Sequence, residues 1–279
     1  MTDRFDGKVA IVTGGASGIG RALAEELGRR GAIVTVADLD AERARGVAQA
    51  IAQAGGRASA ATLDVSSAPD VTALIEGTAA AHGRLDYLFN NAGIAALGGA
   101  HSLTPEIWKR MVDVNLWGVV HGTNAAYPIM MRQGFGHIVN TSSLAGLIPA
   151  PLELSYTTTK YAVVGLSLAL RLEAVGHGVR VSVVCPGFVR TPIMDTSPLL
   201  EGDRAELKSR LPFPMAKPDQ AAQAILRGVA QNRAVIVFPL HAKVLVWLDR
   251  WLGPVSRWLW RKVVKDFRAS VDGRSGPKA

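Results

Sequence analysis

The sequence predicts an α/β protein in which a doubly wound parallel sheet of about seven strands carries helices on both faces, followed by a C-terminal helical extension. Short β-branched runs alternate with helix-length segments as far as residue 239. A glycine-rich turn joins the first strand to the first helix, and the segment after residue 239 becomes basic and tryptophan-rich. Strands that alternate with helices of this length pair in parallel and are covered on both faces.

The predicted elements follow one another without a linker rich in Gly, Pro or Ser. The predicted strands span 8–13, 33–37, 57–63, 87–89, 137–141, 179–184 and 235–238, and the helices beyond the glycine turn span 41–54, 69–82, 105–132, 155–175 and 220–231. Because no linker or internal repeat separates two halves, residues 1–239 are predicted to form one domain.

Composition narrows the class of protein and its compartment. The chain has 279 residues and is 48% hydrophobic, which is typical of a globular protein. Cys185 is the single cysteine and lies in an apolar run, so we expect no internal disulfide and a reducing, cytoplasmic setting. The sequence predicts no signal peptide, no membrane span and, from the scattered histidines, no metal site.

The net charge of +8 is concentrated near the end of the chain. Residues 241–279 hold nine Lys or Arg against three Asp, so the charge of the remaining residues is almost balanced. A basic surface spread over the domain, as nucleic-acid binding requires, is therefore not predicted.

The glycine turn has the composition of a phosphate-binding loop. Gly14, Gly18 and Gly20 stand between a predicted strand and a predicted helix. Glycines at such a turn let the backbone approach a pyrophosphate, and the helix N-terminus supplies free N–H groups to it. A tight strand-to-helix turn that binds nothing is the alternative interpretation.

Asp38 ends the second predicted strand, eighteen residues beyond Gly20. An acid at this position can accept hydrogen bonds from both adenosine ribose hydroxyls and would repel a 2′-phosphate. Ser17 stands where an arginine could have reached such a phosphate, so the sequence predicts NAD rather than NADP. The alternative is that Asp38 only caps the following helix.

Tyr156 and Lys160 are four residues apart in a predicted helix and therefore share one face of it. A free tyrosine has a pKa of about 10, and a fixed cation beside it favours the phenolate. This is the geometry of an activated phenol, although a pair of this kind also arises by chance.

Further short motifs accompany these three features in a fixed order. They are Thr13 with the glycine turn, Asp64-Val65, Asn90-Asn91-Ala92-Gly93, Asn115, Ser143, and Pro186-Gly187. In this set and order the chain resembles the short-chain dehydrogenase/reductase family over nearly its full length. The resemblance implies a Rossmann-type fold and an NAD-dependent oxidoreductase that interconverts an alcohol and a ketone.

The resemblance also implies roles for individual residues. By it, Tyr156 is the general acid/base, Lys160 binds the nicotinamide ribose and lowers the pKa of the tyrosine, Ser143 hydrogen-bonds the substrate oxygen, and Asn115 supports a proton-relay water. The cofactor-binding residues that it implies are Gly14, Ser17, Gly18, Ile19, Gly20, Asp38, Asp64, Val65, Asn91, Ala92, Gly93, Tyr156, Lys160, Pro186, Gly187, Val189 and Thr191.

Three of these assignments have alternatives. Ser142 could be the serine in question, although the interval of thirteen residues to the tyrosine in the family favours Ser143. Tyr161 is a second nearby tyrosine, but it points about 100° away from Tyr156 around the helix and has no lysine four residues on. Asn115 could be an ordinary buried amide.

Three segments beyond strand ends should line the substrate pocket, because ligands of open α/β sheets bind there. They are 94–100, 144–154 and 188–218, and all are rich in apolar or small residues. Arg190 is the obvious charged exception. The sequence thus favours a lipophilic secondary alcohol or ketone as substrate, while the alternative is that these residues only pack the loop against the domain.

The extension, residues 240–271, is predicted to form two amphipathic helices interrupted at Gly253-Pro254, and residues 272–279 a polar tail. The extension holds Trp247, Trp251, Trp258 and Trp260 beside Lys and Arg. Such a helix can lie in a membrane interface. We favour the alternative, in which the apolar stripe docks on the chain's own core, on the substrate loop or on another subunit.

The sequence therefore predicts an NAD-dependent dehydrogenase acting on a lipophilic alcohol or ketone. Two alternatives stay open: an NADPH-dependent 3-oxoacyl reductase of the same family, which Asp38 disfavours, and a non-catalytic cofactor-binding scaffold. The predicted helices 105–132 and 155–175 resemble the subunit interface of the family, so a homodimer or homotetramer is expected.

Overall fold

Seven strands form one sheet in which every neighbouring pair is parallel. The computed structural model describes residues 4–203 and 214–272, except for the side chains of residues 194 and 266–272. The strands are β1 Val9–Thr13, β2 Ile33–Asp38, β3 Arg57–Thr62, β4 Tyr87–Asn90, β5 Gly136–Thr141, β6 Val179–Pro186 and β7 Val235–Phe238, in the order β3-β2-β1-β4-β5-β6-β7. The predicted doubly wound parallel sheet is confirmed.

Helices cover both faces of the sheet. They are α1 Gly18–Arg29, α2 Ala41–Gln53, α3 Ala68–His82, α4 Pro105–Val112, α5 Gly118–Gln133, α6 Leu154–Glu173, α7 Ile193–Thr196 and α8 Pro218–Ala230. Successive strand residues point to opposite faces: Ala10 and Val12 of β1 join the core under α1, α2 and α8, whereas Val9 and Ile11 join the core under α3 and α5. This alternation explains why the strands read as continuous apolar runs.

The strand order reverses direction between β1 and β4. Ala10 and Val12 of β1 pair with Tyr87 and Phe89 of β4, and the connections from these two strands run to opposite sides of the sheet. A crevice opens at such a point beyond the carboxyl ends of the strands. The glycine turn after β1 and the loop after β4 therefore face each other across it.

The predicted helix 105–132 is interrupted. A π-helical segment, Asp113–Trp117, separates α4 from α5. Such a segment adds one residue to a helical turn and changes the direction in which the following side chains point. The sequence pattern predicted a continuous helix because a single inserted residue leaves no compositional signal.

The extension forms two helices, α9 Leu240–Trp251 and α10 Gly253–Asp272, as predicted. Their inner side packs on the loop after β5, where Ala242 and Leu245 meet Leu144 and Ile148. The Ser256 hydroxyl of α10 donates a 2.6 Å hydrogen bond to Asp249 of α9 and ties the two helices together. The domain boundary at residue 239 stays a prediction.

Among the helices of the described residues, none is both long and apolar enough to cross a membrane. Two predictions fall partly outside the described part of the chain: residues 204–213 of the predicted pocket segment 188–218, and residues 273–279 of the predicted polar tail 272–279.

Candidate active site

The glycine turn leaves no room for side chains. Gly14 and Gly18 both have positive φ, and a Cβ on Gly14 would lie 2.8 Å from the Cα of Ala92. A Cβ on Gly20 would collide with the carbonyl oxygen of Gly14. The Ser17 side chain makes no capping hydrogen bond to α1, so the first N–H groups of the helix have neither a side-chain cap nor an intrahelical partner.

The loop after β4 is fastened to this turn. The backbone N–H groups of Asn91 and Ala92 donate to the Thr13 hydroxyl at 3.0 and 3.1 Å. The Asn91 side-chain amide donates in turn to the carbonyl oxygens of Thr13, at 3.0 Å, and Gly14, at 3.3 Å. These hydrogen bonds therefore fix the turn and the loop to each other at the edge of the crevice.

Asp38 braces the same turn from the end of β2. One carboxylate oxygen accepts a 2.9 Å hydrogen bond from the Ala16 N–H, and the other accepts a 3.1 Å bond from the Asp40 N–H. The N-cap of α2 is Asp40, which accepts from Arg43 N–H. Asp38 therefore is not the cap of that helix, and it lines a cavity at this edge of the sheet.

Asn115 lies in the π-helical segment and is completely buried. Its amide makes a reciprocal pair of hydrogen bonds with the backbone of Ile94: the side-chain oxygen accepts from the N–H at 2.8 Å, and the side-chain nitrogen donates to the carbonyl at 2.9 Å. The same nitrogen also lies 3.3 Å from the Thr159 hydroxyl on α6. Asn115 thus joins three elements. It does not belong to the described residues that line the cavity.

The two adjacent serines after β5 differ in environment. Ser142 is buried, and its hydroxyl donates a 2.7 Å hydrogen bond to the Lys160 carbonyl. The Ser143 hydroxyl accepts a 3.1 Å bond from Ala145 N–H and lies at the cavity, where it also forms a hydrogen bond with Tyr156. Ser142 lines the cavity as well, but its hydroxyl proton is donated to the Lys160 carbonyl. Ser143 is therefore the better placed of the two to contact a bound molecule beside the tyrosine.

Tyr156 and Lys160 meet on one face of α6, with the Lys160 ammonium 5.4 Å from the centre of the Tyr156 ring. Lys160 is 3% exposed, its Nζ donates to the Thr141 carbonyl at 3.0 Å, and burial lowers its pKa to about 8. Burial raises the pKa of Tyr156, the hydrogen bond with Ser143 lowers it, and the charge of Glu153 raises it further. The Lys160 ammonium, held this close to the ring, favours the phenolate electrostatically, and the hydrogen bond with Ser143 acts in the same direction.

One cavity of about 1630 Å³ connects these elements. Every cofactor-binding residue that the resemblance implied lines it, from Gly14 at one end, through Asp38, Asp64 and Gly93, to Thr191, together with Ser143. The glycine turn and the Tyr156–Lys160 pair therefore line the same cavity.

The cavity also contains charged residues that the sequence did not single out. Arg43, Arg110 and Lys262 line it, whereas Arg190 is exposed and lies outside the lining. Glu153 lines it one helical turn before Tyr156, and burial raises the pKa of Glu153 to about 7. Its position three residues before the tyrosine was the only signal available in the sequence.

The rest of the wall is apolar and comes from distant parts of the chain. The loop residues Leu97, Ile148 and Leu152 meet residues of the extension across it. The extension contributes Leu245, Leu248, Leu259, Trp260 and Val263. Sequence reasoning assigned the extension to docking but did not place it in the wall of the site.

The chain is similar in sequence to known proteins along most of its length. The family model for short chain dehydrogenases matches residues 8–199. The chain is 42% identical over 198 residues to 2,5-dichloro-2,5-cyclohexadiene-1,4-diol dehydrogenase LinX of Sphingobium indicum, a match that covers 71% of this chain and 79% of that protein. It is 35% identical over 227 residues to cyclohexanol dehydrogenase of Acinetobacter sp., covering 81% and 88%.

A solved structure agrees with the fold. The crystal structure of a short chain dehydrogenase/reductase from Burkholderia phymatum in complex with NAD has a TM-score of 0.82 and 32% sequence identity, covering 91% of this chain and 97% of that one. The fold and the site define a nicotinamide-dependent oxidoreductase. The chain belongs to the short-chain dehydrogenase/reductase family.

Proposed function

We propose that the protein is an NAD(H)-dependent dehydrogenase that interconverts a lipophilic secondary alcohol and its ketone. The observation that carries this proposal is the meeting of Tyr156, Ser143 and the glycine turn in one cavity with an apolar wall.

The residues of the cavity fit a dinucleotide. The crowded turn at Gly14 and Gly20 allows the backbone to approach a pyrophosphate, and the first N–H groups of α1 can donate to its oxygens. Asp38 supplies a carboxylate for the adenosine ribose and disfavours a 2′-phosphate, which supports NAD over NADP. The buried Lys160 ammonium can donate to the hydroxyls of the second ribose.

The bound nicotinamide would supply the hydride acceptor or donor. In alcohol oxidation, the ionised Tyr156 takes the hydroxyl proton while the carbon–hydrogen bond breaks as hydride, so the carbon becomes a carbonyl. Ser143 donates to the same oxygen and holds it beside the tyrosine. We propose that Asn115 positions the Ile94 loop and, through the hydroxyl of Thr159, the turn of α6 that carries Lys160.

The substrate is proposed to be lipophilic because the wall of the cavity that holds Tyr156 combines Leu97, Ile148 and Leu152 with the apolar residues of the extension. Both curated relatives described above are named for cyclic alcohols or diols. This supports an uncharged ring or a chain of similar size.

The setting is proposed to be the cytoplasm, since Cys185 is a free, buried thiol. A homodimer or homotetramer is proposed because α6 carries exposed apolar residues, among them Leu168 and Leu172. No nucleic-acid partner is proposed.

A Tyr156→Phe variant tests the proposal. Loss of the phenol should lower kcat for cyclohexanol oxidation by about 10²–10⁴-fold, because a general base is lost. The Kd for NADH, followed by its fluorescence, should stay within about twofold, since the ring is retained. Wild-type activity in an NAD⁺ reduction screen is required first: a protein that binds NADH and oxidises no alcohol would be a scaffold, and one that prefers NADPH and 3-oxoacyl thioesters would be the reductase.

A further inference from the structure

The outer side of α9 exposes a continuous apolar stripe. Leu240, Val244, Trp247 and Trp251 follow one another at steps of four, three and four residues, so they lie on one face of the helix. Trp247 and Trp251 are 55% and 68% exposed. Large aromatic side chains exposed side by side indicate a binding surface.

The stripe continues on α10 and reaches the cavity. Val255 and Trp258 are exposed, the latter to 63%. Leu259 and Val263 are exposed as well, yet they also line the cavity. The outer apolar face and the interior of the site are therefore connected by side chains that belong to both.

The two helices that carry the stripe are also rich in basic residues. Residues 240–265 contain Lys243, Arg250, Arg257, Arg261, Lys262 and Lys265, and all six are exposed. The one acid in this range is Asp249, which accepts the hydrogen bond from Ser256. The face thus combines tryptophans, aliphatic residues and a marked excess of positive charge.

We infer that this face of α9 and α10, defined by Leu240, Val244, Trp247, Trp251, Val255 and Trp258 with their basic neighbours, binds the surface of an anionic lipid bilayer. Tryptophans settle at the boundary between headgroups and acyl chains, and Lys and Arg are attracted to anionic headgroups. Bound in this way, the protein turns the Leu259–Val263 edge of its cavity toward the lipid. A lipophilic substrate then enters from the bilayer without crossing water.

A second copy of the chain fits this face less well. A symmetric dimer places the same patch on both partners, so the excess of positive charge on one copy would meet the same excess on the other. Like charges brought together in an interface oppose association. An anionic bilayer has the complementary charge.

The inference rests on the proposed function only where it concerns the entry of substrate. The test of lipid binding uses neither substrate nor cofactor. Full-length protein would be sedimented with vesicles of phosphatidylcholine alone and of phosphatidylcholine with about 30% phosphatidylglycerol. We expect at least tenfold tighter binding to the anionic vesicles, weakened by added salt, because the basic residues act through screened attraction.

A triple variant, Trp247→Ser, Trp251→Ser and Trp258→Ser, should lose at least tenfold in vesicle affinity. Trp117→Ser is the matched control, since Trp117 is an exposed tryptophan on the π-helical segment, and it should bind like the wild type. Circular dichroism verifies that both variants fold. Equal binding by the wild type and the triple variant, or no binding to anionic vesicles, overturns the inference.

Light scattering gives a second readout. If the wild type does not bind vesicles and the triple variant has a smaller particle mass than the wild type, the face is an interface between copies. That result also overturns the inference. Neither result affects the Tyr156→Phe test of the dehydrogenase.

Discussion

The Ser142 hydroxyl donates a 2.7 Å hydrogen bond to the Lys160 carbonyl, which joins the end of β5 to the middle of α6. This bond fixes the height of α6 relative to the strand, so that the next residue, Ser143, lies beside Tyr156. Two adjacent serines thus have separate tasks: one holds the helix and the other faces the cavity.

This division predicts different defects for the two serines. Ser143→Ala should lower kcat for alcohol oxidation by about 10²–10³-fold, because a hydrogen bond to the reacting oxygen is lost. It should cost less stability than Ser142→Ala, because the bond that it loses from Ala145 N–H is only partly buried. Ser142→Ala should lower the free energy of unfolding by about 1 kcal/mol, because a buried hydrogen bond is lost. Steady-state kinetics and urea unfolding of both variants measure this; a greater loss of kcat in Ser142→Ala would reverse the assignment.

Asp38 is expected to govern the choice of cofactor. Asp38→Ser should lower kcat/KM for NAD⁺ and raise kcat/KM for NADP⁺, each by about tenfold or more, since a charged hydrogen bond contributes about 1.5–3 kcal/mol. Removal of the carboxylate leaves Arg43, which lines the cavity 3.2 Å from Asp40, to receive a 2′-phosphate.

The double variant Asp38→Ser with Arg43→Ala is the matched control for this cofactor prediction. It should show the lower kcat/KM for NAD⁺ but not the higher kcat/KM for NADP⁺. If both variants use NADP⁺ equally well, Arg43 does not contact the phosphate. Unchanged kinetics in Asp38→Ser would show that Asp38 only braces the turn.

Glu153 should make the rate depend on pH. Its pKa is raised to about 7, so it is ionised mainly above pH 7, and its charge then raises the pKa of Tyr156. Oxidation needs the Tyr156 phenolate, so Glu153→Gln should increase kcat/KM severalfold at pH 8–9 and have little effect below pH 6, where the wild-type carboxyl is already neutral. Profiles of kcat/KM against pH test this, with Glu153→Asp as the charge-preserving control; identical profiles for wild type and Glu153→Gln would exclude the coupling.

His137 is expected to limit stability in acid. It is buried on β5 with Nε2 2.8 Å from the Ser182 hydroxyl, and burial lowers its pKa to about 3, against about 6.5 in the unfolded chain. The unfolded state therefore binds the proton more readily: the contribution to stability is complete above pH 6.5 and declines as the pH falls from 6.5 toward 3.

Urea unfolding at pH 7.5 and pH 5 should therefore show a smaller pH-dependent loss for His137→Gln than for the wild type, whatever the absolute stability of the variant. An equal loss of unfolding free energy in the two proteins would mean that groups other than His137 govern the loss of stability in acid.

Local patterns were sufficient to predict most of the fold. β-branched runs such as Val9–Thr13 and the positive-φ glycines at 14 and 18 have few alternatives, because their physical requirements are met within a few residues. The positions of Asp38 and of the Tyr156–Lys160 pair follow from the same short-range geometry.

Other features depend on contacts that sequence spacing does not encode. The π-helical turn around Asn115 is stabilised by the Ile94 backbone, 21 residues away along the chain. The charge of Glu153 raises the pKa of Tyr156, and burial raises the pKa of Glu153 itself; the sequence does not report that burial. The contact of Leu245 with the cavity requires α9 to fold back on the loop after β5, a tertiary choice among several apolar surfaces.

Because the extension forms part of the cavity wall, two different parts of the chain contribute to cofactor binding and to the shape of the pocket. The proposed cofactor contacts all precede residue 192, whereas Leu245, Leu248, Leu259, Trp260 and Val263 belong to helices that begin only at residue 240. Substitutions in these helices can change the size and shape of the pocket while the proton-transfer residues keep their places. The extension is thus a module in which new substrate preferences can be selected, by evolution or in the laboratory, while the catalytic residues stay the same.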